Sequence, residues 1–287
     1  MKLVNGDLMA PTLWWGQSHQ PHDRDLIGTS APMRALRRLI HAFAPYDVPL
    51  LLEGEEGTGK RLVAQIVHRL SPYRTGPFIA VDCSGLSDMM LAVELFGCEV
   101  GFCSGLAQIL PGKLELARGG SLLLERIELM PNWVQGRLRQ ALKTQSMERL
   151  GGLKPVSVQV RIMAASTDCL SQTVSGRRHQ GLMDFLYGGV PLQVPPLRER
   201  AGDIDRLSHH FLGQANCEFG KQIKGFTPAA RALLEAYAWP GNLRELSGAV
   251  RSAVLASDRV IVPGHLPPHL WGLQSGSVGG GRLRTHA

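Results

Sequence analysis

Seven consecutive residues carry the clearest chemistry in this chain: Gly54-Glu55-Glu56-Gly57-Thr58-Gly59-Lys60 has the spacing G-x-x-x-x-G-K. Glycines at these positions let successive backbone N–H groups turn inward around phosphate oxygens. A helix starting at the lysine adds partial positive charge, and Lys60 is long enough to reach terminal phosphates. The Ser or Thr hydroxyl that ordinarily follows the lysine and binds Mg²⁺ is replaced by Arg61. The stretch from Gly54 to Arg61 is therefore expected to hold nucleotide phosphates, with ATP as the implied ligand. Whether Mg²⁺ is also held is left open at this point.

Such a loop works only between a strand and a helix, and both are legible. Val48-Pro49-Leu50-Leu51-Leu52 reads as a buried strand, and Leu62, Val63, Ile66, Val67 and Leu70 form a helical stripe behind the loop. Before them Pro32 opens a helix with Met33, Leu36, Leu39, Ile40 and Phe43 on one face, leaving Arg34, Arg37 and Arg38 on the polar side. Further strands are expected at Phe78-Ile79-Ala80-Val81, at Ser121-Leu122-Leu123-Leu124 and over Val158-Gln159-Val160-Arg161-Ile162-Met163-Ala164. Helices fit near 87–95 and 132–143. Alternating strands and helices predict an α/β domain with a parallel sheet. After Leu197-Arg198-Glu199-Arg200 the periodic segments are all helical, at about 203–217, 228–237 and 242–256. Pro228 after Thr227 is a natural helix start, and Pro240-Gly241-Asn242 separates the last two helices. The expected organisation is an N-terminal extension over 1–24, an α/β nucleotide-binding domain over 25–200, a small all-helical domain over 201–271 and a flexible tail over 272–287.

Composition bounds the rest. The 287 residues are 44% hydrophobic and 19% charged, enough apolar material for a core and too little charge for a disordered chain. A net charge of +7 suits polyanionic partners without specifying one. No apolar run approaches the roughly 20 residues that span a bilayer, and the N-terminus has no apolar signal core, so no membrane partner and a cytoplasmic location are expected. Cys83, Cys98, Cys103, Cys169 and Cys217 lack finger spacing and read as small buried thiols; His209-His210, His265 and His269 lack partners at ligand spacing.

Several ordered motifs together carry a resemblance. The phosphate loop is followed by Glu94-Leu95-Phe96-Gly97, Gly119-Gly120-Ser121-Leu122, Pro195-Pro196-Leu197-Arg198-Glu199-Arg200 and Trp239-Pro240-Gly241-Asn242-Leu243-Arg244-Glu245-Leu246. Over about residues 25–271 the chain resembles the AAA+ module of sigma-54-dependent transcription activators, the bacterial enhancer-binding proteins. That resemblance implies an AAA+ P-loop parallel sheet with flanking helices followed by a small helical lid. It also implies a ring-forming ATPase, usually hexameric, that remodels the closed complex of sigma-54 RNA polymerase. Arg244 falls on the family's lid arginine, which senses nucleotide phosphates, although a plain surface arginine is its other reading. Ile27-Gly28 falls on the stretch beside the base.

The departures from the family bear on hydrolysis. Where the family strand ends in Asp for the Mg²⁺ shell and Glu for the attacking water, this chain has Glu125-Arg126. Glu125 is the candidate metal-site carboxylate. Arg126 cannot accept a proton, and loss of a general base removes roughly 10²- to 10⁴-fold of rate. The family's switch asparagine is Asp82, its sensor asparagine is Thr167, and its two trans-acting arginines are Gln180 and Leu186, with Arg177 and Arg178 close by. An Arg126–Asp82 ion pair is expected in place of a catalytic contact. The sigma-contacting loop reads Gly101-Phe102-Cys103-Ser104-Gly105-Leu106, with both glycines kept and the aromatic one place early. The sixteen residues beyond Trp271 leave no room for a helix-turn-helix, so no independent specific DNA binding is expected.

Two functions follow. One is an ATP-binding regulator, catalytically degenerate, acting through contacts with an AAA+ ring partner or with its own copies. The other is a working AAA+ ATPase that remodels sigma-54 RNA polymerase, using Glu125 and substitutes for the fingers. A remnant without a cellular role is a third possibility.

Overall fold

The computed structural model describes residues 23–102, 108–167, 186 and 189–274. Five parallel strands form the central sheet: β1 (Leu50–Glu53), β2 (Phe78–Asp82), β5 (Ser121–Glu125), β8 (Arg161–Ser166) and β9 (Val190–Gln193), in the order β2-β5-β8-β1-β9. The leucine runs Leu50-Leu51-Leu52 and Leu122-Leu123-Leu124 are buried throughout, because a parallel sheet is covered on both faces. On one face Leu50, Leu52, Leu123 and Met163 pack with the helices α1 (Ala31–Phe43) and α2 (Lys60–Arg69). On the other, Leu51, Leu122, Leu124 and Ala164 pack with α3 (Asp88–Phe96) and α5 (Asn132–Thr144).

Two short hairpins lie outside the sheet. One pairs β3 (Gly97–Cys98) with β4 (Leu110–Pro111), just before α4 (Lys113–Leu116); the other pairs β6 (Ser146–Glu148) with β7 (Pro155–Ser157). A 3-10 segment over Leu197–Asp203 then leads into three helices, α6 (Ile204–Phe219), α7 (Pro228–Ala236) and α8 (Asn242–Ala256). Their own core holds Phe211, Leu234, Leu246, Val250 and the fully buried Trp239, whose indole N–H donates to the Leu234 carbonyl at 2.8 Å. Thr227 caps α7 by accepting from Ala230 N, with Pro228 in the first turn. Among the described residues no helix is long and apolar enough to cross a membrane.

Several expectations need correction. Pro49 stands before β1 rather than in it, its carbonyl accepting from Val190 N. The single strand expected over 158–164 is divided: Val158 N donates to Gln145 O and Gln159 O accepts from Gly119 N, so these residues leave the ladder before β8 begins. Strand β9 was not anticipated, since Val190-Pro191-Leu192-Gln193 alternates and contains proline; its place at the sheet edge tolerates both. Leu39 and Leu70 are exposed rather than part of their buried stripes. Arg37 is not on a purely wet face but donates to the carbonyls of Leu26 and Gly28. Cys83 and Cys98 are buried, whereas Cys217 is exposed. Cys103 and Cys169 lie outside the described residues.

Candidate functional site: a phosphate loop closed by the helical domain

The loop from Gly54 to Gly59 leaves the carboxyl end of β1 and enters α2 at Lys60. Two of its glycines are required by geometry. Gly54, at φ +152°, would bring a Cβ within 2.5 Å of the Val194 carbonyl, and Gly57, at φ +77°, within 2.3 Å of the Gly241 carbonyl. The backbone at Gly57 thus touches the start of α8, where Leu243 N donates to the Gly57 carbonyl at 2.9 Å. Thr58 is buried, and its hydroxyl bonds the Glu55 carbonyl at 2.8 Å. The Lys60 ammonium donates to the carbonyls of Gly54 and Glu55. Burial pulls its pKa below the ordinary lysine value, against the attraction of Glu128, Glu56 and Glu125.

Both glutamates of the loop reach the helical part of the chain, Glu55 through the 3-10 segment that leads into it and through Asn242, and Glu56 through Arg244. Glu55 forms a two-pronged pair with Arg198, at 2.5 and 2.7 Å, and accepts from Asn242 Nδ2 at 3.1 Å. Asn242 is fully buried at φ +52°, and its side chain also accepts from Leu197 N and donates to the Glu56 carbonyl. Glu56 accepts from Arg244 at 2.7 Å. These bonds hold the carboxyls of Glu55 and Glu56 below the usual glutamate range, through Arg198 and Arg244 respectively. Arg244 therefore stands over the phosphate loop and is not a surface arginine facing only water.

A second layer ties the entry of the chain to the same place. Asp203 accepts from Thr29 N, Ser30 N and the Ser30 hydroxyl at the N-terminus of α1. Arg200 is buried; it donates to the Thr58 carbonyl, and burial pushes its pKa down to about 10. Between these elements lies a cleft lined by Ile27, Met33, Thr58, Gly59, Leu62 and Leu243, among others. An apolar cleft of this kind, opening on the glycine loop, has the composition for a planar base beside its phosphates.

At the carboxyl edge of the sheet, Glu125 lies 3.6 Å from Arg61, and burial raises its carboxyl above the usual range despite that neighbour. Arg126 takes a left-handed backbone, φ 54° and ψ 48°, and its guanidinium bonds Asp82 through Nε at 2.9 Å and through Nη2. The expected ion pair is present. Burial works to raise the Asp82 carboxyl, and the bonds from Arg126 and Ser84 override it and hold it low. Thr167 donates from both its amide and its hydroxyl to Glu128 Oε1, at 3.2 and 2.6 Å. Glu128 was missed by sequence reasoning, because nothing in its spacing from Glu125 distinguishes it from a surface residue of a short turn.

Leu186 is buried within the chain; Gln180, Arg177 and Arg178 lie outside the described residues. Of the sigma-contacting loop, Gly101 and Phe102 are described, with Phe102 exposed and close to Gly151, and residues 103–107 are not. Carboxylates suited to Mg²⁺ are Glu125 and Glu128, the latter with a buried Oε2 that has no partner among the described residues. Mg²⁺ characteristically takes only one or two protein carboxylates and fills its shell with phosphates and water, so this sparse set fits.

Comparison with known proteins agrees with this architecture. The family model of the sigma-54 interaction domain matches residues 26–187, and that of the AAA+ ATPase lid domain matches 198–278. The chain is 35% identical over 254 residues to the putative uric acid sigma-54-dependent transcriptional regulator UacR of Escherichia coli K12, covering 88% of this chain and 43% of that protein. It is 36% identical over 247 residues to the nitrogen fixation protein AnfA of Azotobacter vinelandii, covering 86% and 46%. The chain thus spans about half the length of these relatives or less. The crystal structure of NtrX from Brucella abortus in complex with ATP superposes with a TM-score of 0.80 at 31% identity, covering 89% of this chain and 57% of that one. On the match across 26–187, with the lid model behind it, the chain belongs to the sigma-54 interaction domain family of AAA+ proteins.

Proposed function

We propose that this chain binds ATP between its α/β and helical domains and regulates sigma-54-dependent transcription through contacts in an AAA+ ring, with its own copies or with a competent partner, while its own hydrolysis is impaired. Binding is supported by the glycine loop, the half-buried Lys60 and the adjoining apolar cleft. One observation carries the impairment. The position expected to hold the water-activating carboxylate is Arg126, and its guanidinium is committed to Asp82. A cation there can neither accept the proton nor orient water as a carboxylate does. The buried Leu186 supports the same reading, since an arginine finger contributes about 10³- to 10⁵-fold and an inward aliphatic contributes none of it.

A single-turnover assay tests this reading. Stoichiometric protein, labelled ATP and Mg²⁺ are incubated, and the bound nucleotide is recovered. ATP retained for hours is the expected result; conversion to ADP within minutes overturns it. Arg126→Glu is expected to restore little turnover, and it also sets a second acid beside Asp82. Full turnover from that one change would favour the second reading, an active ATPase that opens sigma-54 promoters. That reading draws support from the acids remaining at the sheet edge, Glu125 and Glu128.

A further inference from the structure

Of the two carboxylates suited to a metal, Glu125 lies beside Arg61, whereas Glu128 is held by hydrogen bonds on one oxygen alone. Glu128 sits in the short 3-10 segment Ile127–Leu129 after β5, and its side chain turns back over the sheet to the end of β8. There Thr167 fixes Oε1 from two directions, through its amide and its hydroxyl. The orientation of the carboxylate is thereby set, yet Oε2 is buried from solvent and has no hydrogen-bond partner among the described residues. A buried acceptor of this kind is unfavourable, and more so when charged, unless something supplies a donor or a cation.

The neighbourhood restricts what that something is. Thr167 directly follows Ser166, whose carbonyl accepts from Gly54 N of the phosphate loop at 3.3 Å, and Glu128 is among the carboxylates that attract the Lys60 ammonium. Glu128 therefore faces the space that Lys60 serves, where the distal phosphates of a nucleotide would lie. The other nearby cations are engaged, Arg61 with Glu125, Arg126 with Asp82 and Arg244 with Glu56. A metal-free triphosphate would bring only further negative charge to this oxygen. A triphosphate carrying a divalent cation would bring water donors polarised by the metal.

We propose that Glu128 is a specificity-determining residue of the nucleotide site: its fixed, buried Oε2 accepts from the hydration shell of a divalent cation, so the chain takes the metal–triphosphate complex and rejects the metal-free nucleotide. The inference rests on nucleotide binding at the glycine loop and is independent of whether hydrolysis occurs. Glu128 needs no proton transfer in this role, and Thr167 acts as the residue that positions it.

Equilibrium titration with a non-hydrolysable ATP analogue, with Mg²⁺ or with excess chelator, tests the proposal on the full chain. The wild type is expected to bind at least about tenfold more tightly with Mg²⁺. Glu128→Gln keeps the shape and removes the charge. It is expected to bind the metal-free analogue several-fold more tightly than wild type and to lose most of the Mg²⁺ advantage. Glu128→Asp keeps the charge and is expected to retain a Mg²⁺ preference, which also covers the case in which the glutamine variant does not fold. A folded Glu128→Gln with the wild-type Mg²⁺ ratio overturns the role of Glu128 while leaving nucleotide binding intact, and so does a Glu128→Asp variant with no Mg²⁺ preference. Absence of analogue binding by the wild type in both conditions overturns the functional reading itself, and this inference with it.

Discussion

The chemistry of this chain turns on charges placed next to charges. Arg126 and Asp82 show why residue identity alone does not decide a role: each is a substitution at a position of interest, and together they satisfy one another. Arg161 shows the opposite case. It lies in the middle of an apolar run and is wholly buried, because its guanidinium donates to the Phe43 and Ala44 carbonyls at the end of α1. Arg161→Ala is expected to remove that cap and leave a cavity, costing about 3 kcal/mol in urea unfolding. Lys60 donates to two carbonyls of its own loop, so Lys60→Ala should loosen the loop as well as remove a phosphate contact. Loss of ATP-analogue affinity of at least about tenfold, by equilibrium titration, is the expected outcome.

Among the elements, the junction between the glycine loop and α8 matters most. At Gly57 the loop lies so close to Gly241 that an added Cβ would come within 2.3 Å of the Gly241 carbonyl. Gly57→Ala adds a Cβ both at a positive φ and against the Gly241 carbonyl, so α8 must move away. A loss of about 2 to 4 kcal/mol and greater protease sensitivity between the two domains are expected. Asn242 is the polar counterpart of this contact. Asn242→Ala leaves the buried Leu197 amide without its acceptor and frees Glu55 and Glu56 on one side, a loss of about 2 kcal/mol by urea unfolding. Most of these elements were legible beforehand. The helices α6, α7 and α8 lie within two residues of their expected ends, because each combines a stop signal with an apolar stripe. The hairpins β3–β4 and β6–β7 were not legible, since strands of two or three residues carry no periodicity.

At the scale of the molecule, two hydrophobic bodies are joined through polar contacts. Glu55 with Arg198, Glu56 with Arg244 and Asp203 with the start of α1 bridge them. Their acid dependence has a definite sign. The carboxyls of Glu55 and Glu56 are held below their ordinary value of 4.5, so their contribution is present above that pH and lost as pH falls through the depressed values. The docking of the two bodies is therefore expected to weaken below about pH 4.5 and to be unaffected between pH 6 and 8. Small-angle scattering across this range checks it; equal compactness at pH 3.5 and pH 7 would count against the bridge. The pairs are largely exposed, so added salt should weaken the docking as well.

The amino-acid sequence by itself determined the α/β class, the glycine loop and the family resemblance, because each is written in local order: apolar runs, helix stripes and short motifs of fixed spacing. The loop needed only its flanking strand and helix to be read, and both lie within twenty residues of it. Only the tertiary structure decided which charges meet. Arg244 finds Glu56 from 188 positions away, Arg198 finds Glu55 from 143, and Thr167 finds Glu128 from 39. Such pairings depend on strand order and on the seating of one domain upon another. No local pattern of residue types encodes them.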